Sequence, residues 1–354
     1  MYREQSQEGR QNMIKTGKKV FGILLAVMMC ITLFTACGDA QDNSEVSSQP
    51  VSSGKAENSV YKIGLIQYVE HPSLDTIREA FMTRLEEWGY DETKISIDYQ
   101  NAAGDNANVN TICQKFVGDE VDLIVAIATP AAQVAVSSTE GTDIKVLFAA
   151  VSNPAEDLSI KNLDAPEGNV TGTSDKIPVS STVDLALQVN PELKTFGLLY
   201  NSGESNSVAN AKEAREYCES KGIEVIEGTV SNVSEIQQVS TNLCTQVDAI
   251  FTSTDNSIAS SISVVVEATR ETKTPFYVGA DSMVEDGAFA AIGIDYTELG
   301  AMNADMAVEL MEGKEIKDVP VVIFSEYQTY VNQETCDTLG VALPADVEKK
   351  AVFF

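Results

Sequence analysis

The sequence predicts an α/β protein built from two doubly wound, Rossmann-like lobes, and three observations lead to this fold class. Short apolar runs alternate with amphipathic stretches from Val60 onward, as in βαβ units of a parallel sheet. A segment rich in Asn, Pro, Gly and Thr over residues 152–178 interrupts the alternation, and a second βαβ series follows. The length of 354 residues suffices for two domains of ordinary size.

The first series predicts four strands and three helices. Its strands are expected at 61–66, 95–99, 122–127 and 145–149, and its helices near 74–88, 108–117 and 131–138. In the first helix, apolar side chains recur at spacings of three and four, which is typical of a buried helix face: Leu74, Ile77, Phe81, Leu85 and Trp88.

The second series continues the same pattern. Its helices are expected at 180–189, 205–221, 233–244 and 256–271, and its strands at 195–199, 223–226, 249–253, 276–278 and 288–292. One more helix follows, opened by Asp295 with Glu298 as a capping box and closed by Gly313.

The N-terminus indicates export. Three lysines precede an apolar run over residues 20–34, and Leu33-Phe34-Thr35-Ala36 leads into Cys37. This order is typical of a secretory signal, whereas a membrane-spanning helix needs about 20 apolar residues. It resembles a bacterial lipoprotein signal, so we expect residues 1–36 to be removed and Cys37 to be lipidated. The polar stretch up to residue 59 is expected to be a flexible linker.

Composition excludes several classes of function. The chain carries 24 Lys and Arg against 53 Asp and Glu, and this net charge of −29 opposes binding to nucleic acid. One His and six Cys offer little for a metal site, so no metal or cofactor is expected. The hydrolase, P-loop, zinc-protease and dinucleotide motifs are absent from the sequence, which argues against an enzyme.

Two residue types remain ambiguous. His71 precedes a proline at a helix start, and a structural role is expected for it. Four cysteines lie beyond the anchor: Cys113, Cys218, Cys244 and Cys336. Their even number would allow disulfides in an exported protein, but a body of this size needs none, and we favour partly buried free thiols.

Ligands of such sheets bind beyond the carboxyl ends of the strands. Polar residues stand at five of these ends, namely 67–75, 128–132, 152–154, 254–256 and 279–281. Thr129 is expected as an N-cap with Pro130 as the first helical residue, which leaves N–H groups that suit a carboxylate. Taken singly, each end is only a cap or a turn.

Together these segments resemble one bacterial family. The resemblance rests on 67–75, 127–132, Gly168–Asp175, 254–260 and 287–300, which cover about residues 60–340 in order. They are similar to the ABC transporter substrate-binding proteins that include tryptophan/tyrosine-binding lipoproteins. This resemblance implies a type I periplasmic-binding-protein fold with a three-strand hinge. One lobe would contain residues 60–174 and about 294–325, and the other 175–293 and about 326–354.

The resemblance also implies a ligand site and a location. Gln67 and Tyr68 would lie beside the ligand side chain. Its carboxylate would meet Thr129, Ala131 and Ser152. Asp255 or Asp281 would pair with the ammonium, and Asp175 is a further carboxylate that could instead cap a hinge crossing.

The expected function is delivery of an aromatic or large apolar amino acid to an ABC importer. A monomer would be lipid-anchored through Cys37 on the outer face of the bacterial cytoplasmic membrane, with the permease subunits as partners. The alternatives are a sensory ectodomain or a binding protein for another small solute, such as a nucleoside.

Overall fold

Two helix-covered sheets form the core of the chain in the computed structural model, which describes residues 60–354. The expected signal segment 1–36, the lipidated Cys37 and the linker up to residue 59 lie outside the described residues. Within residues 60–354, no helix is both long and apolar enough to span a membrane.

The first lobe is built on a six-stranded parallel sheet, with the strand order β11-β5-β4-β3-β1-β2. Its strands are β1 (Tyr61–Gln67), β2 (Ile95–Asn101), β3 (Leu123–Ile127), β4 (Lys145–Ala149), β5 (Val170–Ser174) and β11 (Val322–Ile323). Its helices are α1 (Pro72–Glu87), α2 (Asn106–Gly118), α3 (Thr129–Ser138), the short α4 (Pro154–Asp157) and α11 (Tyr296–Met311).

The second lobe is built on a seven-stranded sheet, with the order β13-β12-β10-β9-β8-β6-β7. Its strands are β6 (Thr195–Asn201), β7 (Glu224–Val230), β8 (Ala249–Phe251), β9 (Phe276–Val278), β10 (Ala290–Gly293), β12 (Gln328–Val331) and β13 (Val352–Phe353). Only the pair β10 and β12 is antiparallel among these described strands. Buried rings of Phe196, Tyr277 and Phe289 pack against one another in its core.

Eight α-helices accompany this second sheet among the described residues. They are α5 (Val179–Val189), α6 (Ser205–Ser220), α7 (Ile236–Cys244), α8 (Asn256–Ala259), α9 (Ile262–Thr272), α10 (Asp281–Glu285), α12 (Gln333–Leu339) and α13 (Ala345–Glu348). Single 3₁₀ turns lie at Val233–Glu235 and Ile316–Asp318.

The chain passes between the two sheets three times, from β5 to α5, from β10 to α11 and from β11 to β12. The predicted fold class is confirmed, because two mainly parallel sheets, each wound with helices, share these three crossings.

The strand β5 corrects one expectation, because residues 152–178 were predicted to be loops. Val170-Thr171-Gly172-Thr173-Ser174 contains only one large apolar side chain, so the sequence lacks the apolar run that marks a buried strand. Gly172 lets β5 pair closely with β4, since a Cβ at this position would lie 2.0 Å from the Phe148 carbonyl oxygen. Asn303 on α11 then donates to the Phe148 carbonyl oxygen and to the Thr173 hydroxyl, at 2.8 and 2.9 Å.

Three local expectations were also wrong. Trp88 does not belong to the buried face of α1, because it follows the helix, is 52 % exposed and donates its indole N–H to Asp305. The helix expected at 256–271 is split into α8 and α9. Thr129 is the first residue of α3, and Ala128 occupies the N-cap position.

All four cysteines among residues 60–354 are buried and free, as favoured from their spacing. They are more buried than expected. Burial raises the pKa of the Cys113 and Cys218 thiols to about 12 and that of the Cys244 thiol to about 11.

The packing of α1 against α11 depends on Gly300. A Cβ at this position would lie 2.4 Å from the Ile77 carbonyl oxygen. Gly300→Ala should therefore lower the free energy of unfolding by about 1–3 kcal/mol, measured by urea denaturation of the purified protein.

Gly118→Ala is the matched control, because no atom lies within 4 Å of the Cβ it would add at the end of α2. We expect that variant to be neutral or slightly more stable than wild type. A Gly300→Ala protein as stable as the Gly118→Ala protein would show that α11 can shift away from α1 at little cost.

Candidate functional site

A small cavity, with about 20 Å³ open to the centres of water-sized molecules, lies between the two lobes. Several of its walls follow directly after strands β4, β5, β8 and β9, which is the usual position of a ligand site in such sheets. The polar lining residues are His71, Ser73, Asp175, Asn206, Thr254, Asp255 and Asn256. The apolar part of the lining contains Leu74, Ala150, Ala259, Ala280, Met283 and Tyr296.

A hydrogen-bonded chain of side chains crosses from the first lobe to the second at this cavity. Asp175 Oδ1 accepts from the Ser152 hydroxyl at 2.9 Å. The same Ser152 oxygen lies 3.2 Å from the Thr254 hydroxyl. Because Ser152 gives its single proton to Asp175, Thr254 is the donor in the second bond.

The cavity carries negative charge without a positive side chain to balance it. Asp175 is 4 % exposed, and burial raises the pKa of its carboxyl to about 6, so it is ionised at neutral pH. Among the residues that line the cavity in the described chain there is no Lys or Arg. A buried anion of this kind requires a cation or several donors from a bound molecule.

Asn206 adds a second acceptor to the same wall. Its Nδ2 donates to the Thr254 carbonyl oxygen at 2.9 Å, so its Oδ1 takes no part in that bond. This Oδ1 is buried and has no partner among the described residues. Since buried amide oxygens are normally hydrogen-bonded, the atom is positioned for a donor that a ligand would bring.

Glu204 organises the second lobe behind the cavity. Its Oε2 accepts from the backbone N–H and the Nδ2 of Asn256, and its Oε1 accepts from the backbone N–H and hydroxyl of Ser257. Burial and the neighbouring Asp255 carboxylate raise the pKa of Glu204 above its usual range. These bonds fix the start of α8 and the orientation of the Asn256 amide.

Two alanines at strand ends adopt the left-handed region that favours glycine. Ala128 follows β3 with φ 81° and Ala150 follows β4 with φ 56°. Such conformations cost on the order of 1–3 kcal/mol and concentrate at ligand sites. Both lie at the carboxyl edge of the first sheet, and Ala150 lines the cavity.

A larger cavity, about 410 Å³ by the same measure, is also shared by the lobes. Tyr68, Val69 and Gly104 line it from one lobe, and Asn201, Ser231 and Ser257 from the other. The Tyr68 hydroxyl donates to the Gly104 carbonyl oxygen at 3.0 Å.

The lobes meet through direct side-chain bonds. The Ser73 and Ser282 hydroxyl oxygens are 2.6 Å apart, and Ser205 donates to Asp157 at 2.6 Å and accepts from Gln133 at 3.1 Å. His71 Nε2 lies 3.3 Å from Asn256 Oδ1. The cleft is therefore closed over the cavity.

The sequence matches a known family over nearly the whole described region. The family model described as ABC transporter substrate binding protein matches residues 62–353. The chain belongs to this family.

Relatives of this substrate-binding protein agree with the assignment. It is 37 % identical over 332 residues to the tyrosine-binding protein of Clostridioides difficile, covering 93 % of this chain and 94 % of that protein. It is 38 % identical to a Streptococcus pneumoniae ABC domain solved in complex with L-Trp, with a TM-score of 0.80, covering 83 % of this chain and 99 % of that one.

A third relative indicates the conformational state. A ligand-free, open substrate-binding protein with adhesive properties from Clostridium difficile is 36 % identical, again over 83 % of this chain and 99 % of that one, but its TM-score is 0.63. The substrate-binding protein described here is thus closer to the L-Trp complex than to the open structure at similar identity. Its direct bonds between the lobes agree with that likeness.

The structure distributes the predicted site residues unevenly. Asp255 lines the cavity, Ser152 lies behind the lining and donates to Asp175, and Tyr68 lines the larger cavity. Thr129 and Ala131 lie in the first turn of α3 and line neither cavity. Asp281 begins α10 and accepts from the Ser282 N–H, and it is not among the lining residues of either cavity.

Gln67 is bonded within its own lobe. Its Nε2 donates to the Val69 carbonyl oxygen and to Asp75, while its Oε1 accepts from Arg78 and Tyr99. This fully buried amide therefore supports the turn after β1.

Sequence reasoning undervalued or missed several residues at the cavity. Asp175 ranked below the other carboxylates, and His71 was read as structural. Glu204 and Asn206 were missed because they stand at a helix start with no motif of their own, and Asn256 was expected only as part of the polar strand end 254–256, without a role of its own. The signal that could have found them is their position just after β6 and β8, at the same sheet edge as the chosen residues.

Asp255 is bonded as a structural cap. It is 0 % exposed, its Oδ2 accepts from the Asn201 N–H at 2.7 Å, and its Oδ1 accepts from the Ile258 N–H at 2.9 Å. Asp255→Ala should lower the free energy of unfolding by about 1–3 kcal/mol, because two buried N–H groups lose their acceptor. Urea denaturation measures the change.

Asp281→Ala is the control for that variant, because its carboxylate is less buried and accepts only from its neighbour's N–H among the described contacts. We expect it to stay within about 0.5 kcal/mol of wild type. Equal stability of the two variants would mean that Asp255 does not hold the start of α8.

Proposed function

We propose that this substrate-binding protein binds a free aromatic amino acid and delivers it to an ABC importer. The observation that carries the ligand class is the buried, ionised Asp175 in a cavity without a protein cation. The names of two relatives, one tyrosine-binding and one solved with L-Trp, support an aromatic side chain.

The ligand ammonium would bind to Asp175 and Asn206, which we call the acceptor wall. Asp175 supplies the charge, and the unpartnered Asn206 Oδ1 supplies a second hydrogen bond. Charge-assisted bonds of this type are about twice as strong as neutral ones. The ligand would thereby neutralise the carboxylate whose burial is otherwise unfavourable.

The ligand carboxylate would bind at the start of α3. No side chain caps this helix, so the N–H groups of its first turn, including that of Ala131, have no capping acceptor. Thr129 adds a hydroxyl there, and the left-handed Ala128 directs the chain from β3 into the helix. A carboxylate at this end would also interact favourably with the helix dipole.

Binding and closure would be coupled. Ser152 of the first lobe is bonded to Asp175 and Thr254 of the second lobe, and Asn206 is bonded to Thr254. We propose the division into 60–174 with about 294–325 and 175–293 with about 326–354 as the two moving bodies. A ligand that contacts both favours the closed state by its extra contacts there.

We infer that the cavity has no catalytic role. The imidazole of His71 faces an amide, and no thiol or hydroxyl is bonded to it among the described residues. A nucleophile paired with a base, the usual arrangement for covalent catalysis, is not formed by the lining residues.

The first test is calorimetric titration of the ligand-stripped protein with L-Trp, L-Tyr and L-Phe. Asp175→Asn should weaken binding by about 2–5 kcal/mol, because it leaves the ammonium buried without a counter-charge. Binding should also weaken as the pH falls below about 6, since a proton then competes with the ammonium for Asp175. The Asn variant should lack that pH dependence.

Asp164→Asn is the control, because it makes the same change at an exposed aspartate. It should bind like wild type at every pH. Wild-type affinity that is unchanged by Asp175→Asn would remove Asp175 from the ammonium site. Failure of all three amino acids to bind would refute the proposed ligand class.

Anchoring is the second part of the proposal. We propose that Cys37 carries the lipid and holds the protein on the outer face of the bacterial cytoplasmic membrane. The basic, apolar and small-residue order of residues 15–37 supports this location.

Cys37→Ala should move the protein from the membrane fraction to the soluble fraction or block its processing. Metabolic labelling with a fatty acid, followed by immunoprecipitation, measures the anchor directly. Cys113→Ala is the matched control and should keep the label, because that thiol is buried in the folded lobe. Undiminished label in the Cys37→Ala protein would contradict the anchor.

A further inference from the structure

The inference concerns His71, the single histidine of the sequence. His71 stands in the chain between β1 and α1, and its side chain lines the cavity between the lobes. The residue is 8 % exposed. It stands at the N-cap position of α1 but caps no N–H group there. Helix capping therefore does not use the ring nitrogens of His71.

The second lobe fixes the tautomer of this ring. Glu204 accepts from the Asn256 Nδ2 at 2.6 Å, so the amide oxygen Oδ1 is the atom that faces His71. An amide oxygen only accepts, and His71 Nε2 must therefore carry the proton that crosses the 3.3 Å gap. Burial lowers the pKa of His71 to about 4, so the ring is neutral at pH 7.

A neutral ring protonated at Nε2 has an acceptor lone pair at Nδ1. This Nδ1 is buried and has no partner among the described residues. Leu74, Ala259 and Met283 are apolar members of the same cavity lining as the ring. Besides His71 Nδ1, the lining offers the acceptor wall of Asp175 and Asn206.

We propose that His71 Nδ1 accepts a hydrogen bond from the ligand side chain and thereby selects aromatic side chains that carry an N–H or O–H donor. This rests on the proposed function, since it assigns the side-chain end of the same site. An indole or a phenol satisfies the buried nitrogen, whereas a phenyl ring leaves it unpaired. A buried acceptor without a partner costs more free energy than a hydrogen bond to it contributes. The contact therefore discriminates against ligands whose side chain has no donor.

The first experiment reads the ring directly in the unmodified sequence. A tag-free protein labelled with ¹⁵N-histidine gives signals from one imidazole only. At pH 7 we expect Nε2 protonated and Nδ1 unprotonated, and L-Tyr should shift the Nδ1 resonance towards the protonated value while L-Phe should not. A proton on Nδ1, or equal shifts with both ligands, overturns the proposal.

The second experiment measures selectivity by calorimetry. His71→Leu should reduce affinity for L-Tyr and L-Trp about 3- to 10-fold relative to its effect on L-Phe. His71→Asn places an amide oxygen near the position of Nδ1 and should restore part of the preference. Equal losses for all three ligands would reduce His71 to a structural residue.

Gln133→Leu is the matched control, because it also removes a hydrogen bond between the lobes but lies outside both cavity linings. It should change the affinities for L-Tyr and L-Phe by the same factor. Wild-type protein that binds none of these ligands refutes the proposed function and this inference together. Wild-type binding without a His71-dependent preference refutes the inference alone.

Discussion

Closure of the two lobes buries an ionised carboxylate, that of Asp175, to which the described cavity lining supplies no cation. Burial raises the pKa of Asp175 to about 6, and the same desolvation raises the pKa values of Asp157 and Asp281. A carboxyl with a raised pKa contributes most stability when it is protonated, and that contribution is lost as the pH rises through the folded value. At neutral pH the buried charge of Asp175 therefore opposes closure, and the ammonium of the proposed ligand would relieve that penalty.

The neighbouring acids show that burial alone does not define a ligand group. Asp255 is as buried as Asp175, but its two oxygens accept from backbone N–H groups on β6 and α8. Glu204 likewise accepts four bonds from Asn256 and Ser257. Both belong to the rigid wall of the second lobe, whereas Asp175 accepts from Ser152 and lines the cavity. A carboxylate that accepts several bonds from backbone N–H groups holds the fold in place, whereas one with few protein donors is available to a ligand.

The sequence predicted most of the fold because its strands and helices carry their apolar periodicity locally. It missed β5, since Gly172 provides a close strand contact that no apolar run announces. The site was less predictable for a related reason. The sheet-edge rule located Ser152, Thr254 and Asp255, but only three-dimensional contacts show that Gln67 is bonded within its lobe and that Asp175 lacks a counter-charge. Left-handed Ala128 and Ala150 also leave no signal in a single sequence.

The burial of the four thiols has a consequence for their reactivity towards oxidants and disulfides. Thiol–disulfide exchange requires a thiolate, and the raised pKa values of Cys113, Cys218 and Cys244 leave almost none at neutral pH. These buried thiols are thereby protected from oxidants and foreign disulfides, and residues 60–354 contain no disulfide that would have to form during folding. Only a molecule that opens its core presents these sulfurs, so cross-linking by oxidants reports on unfolding rather than on the native population.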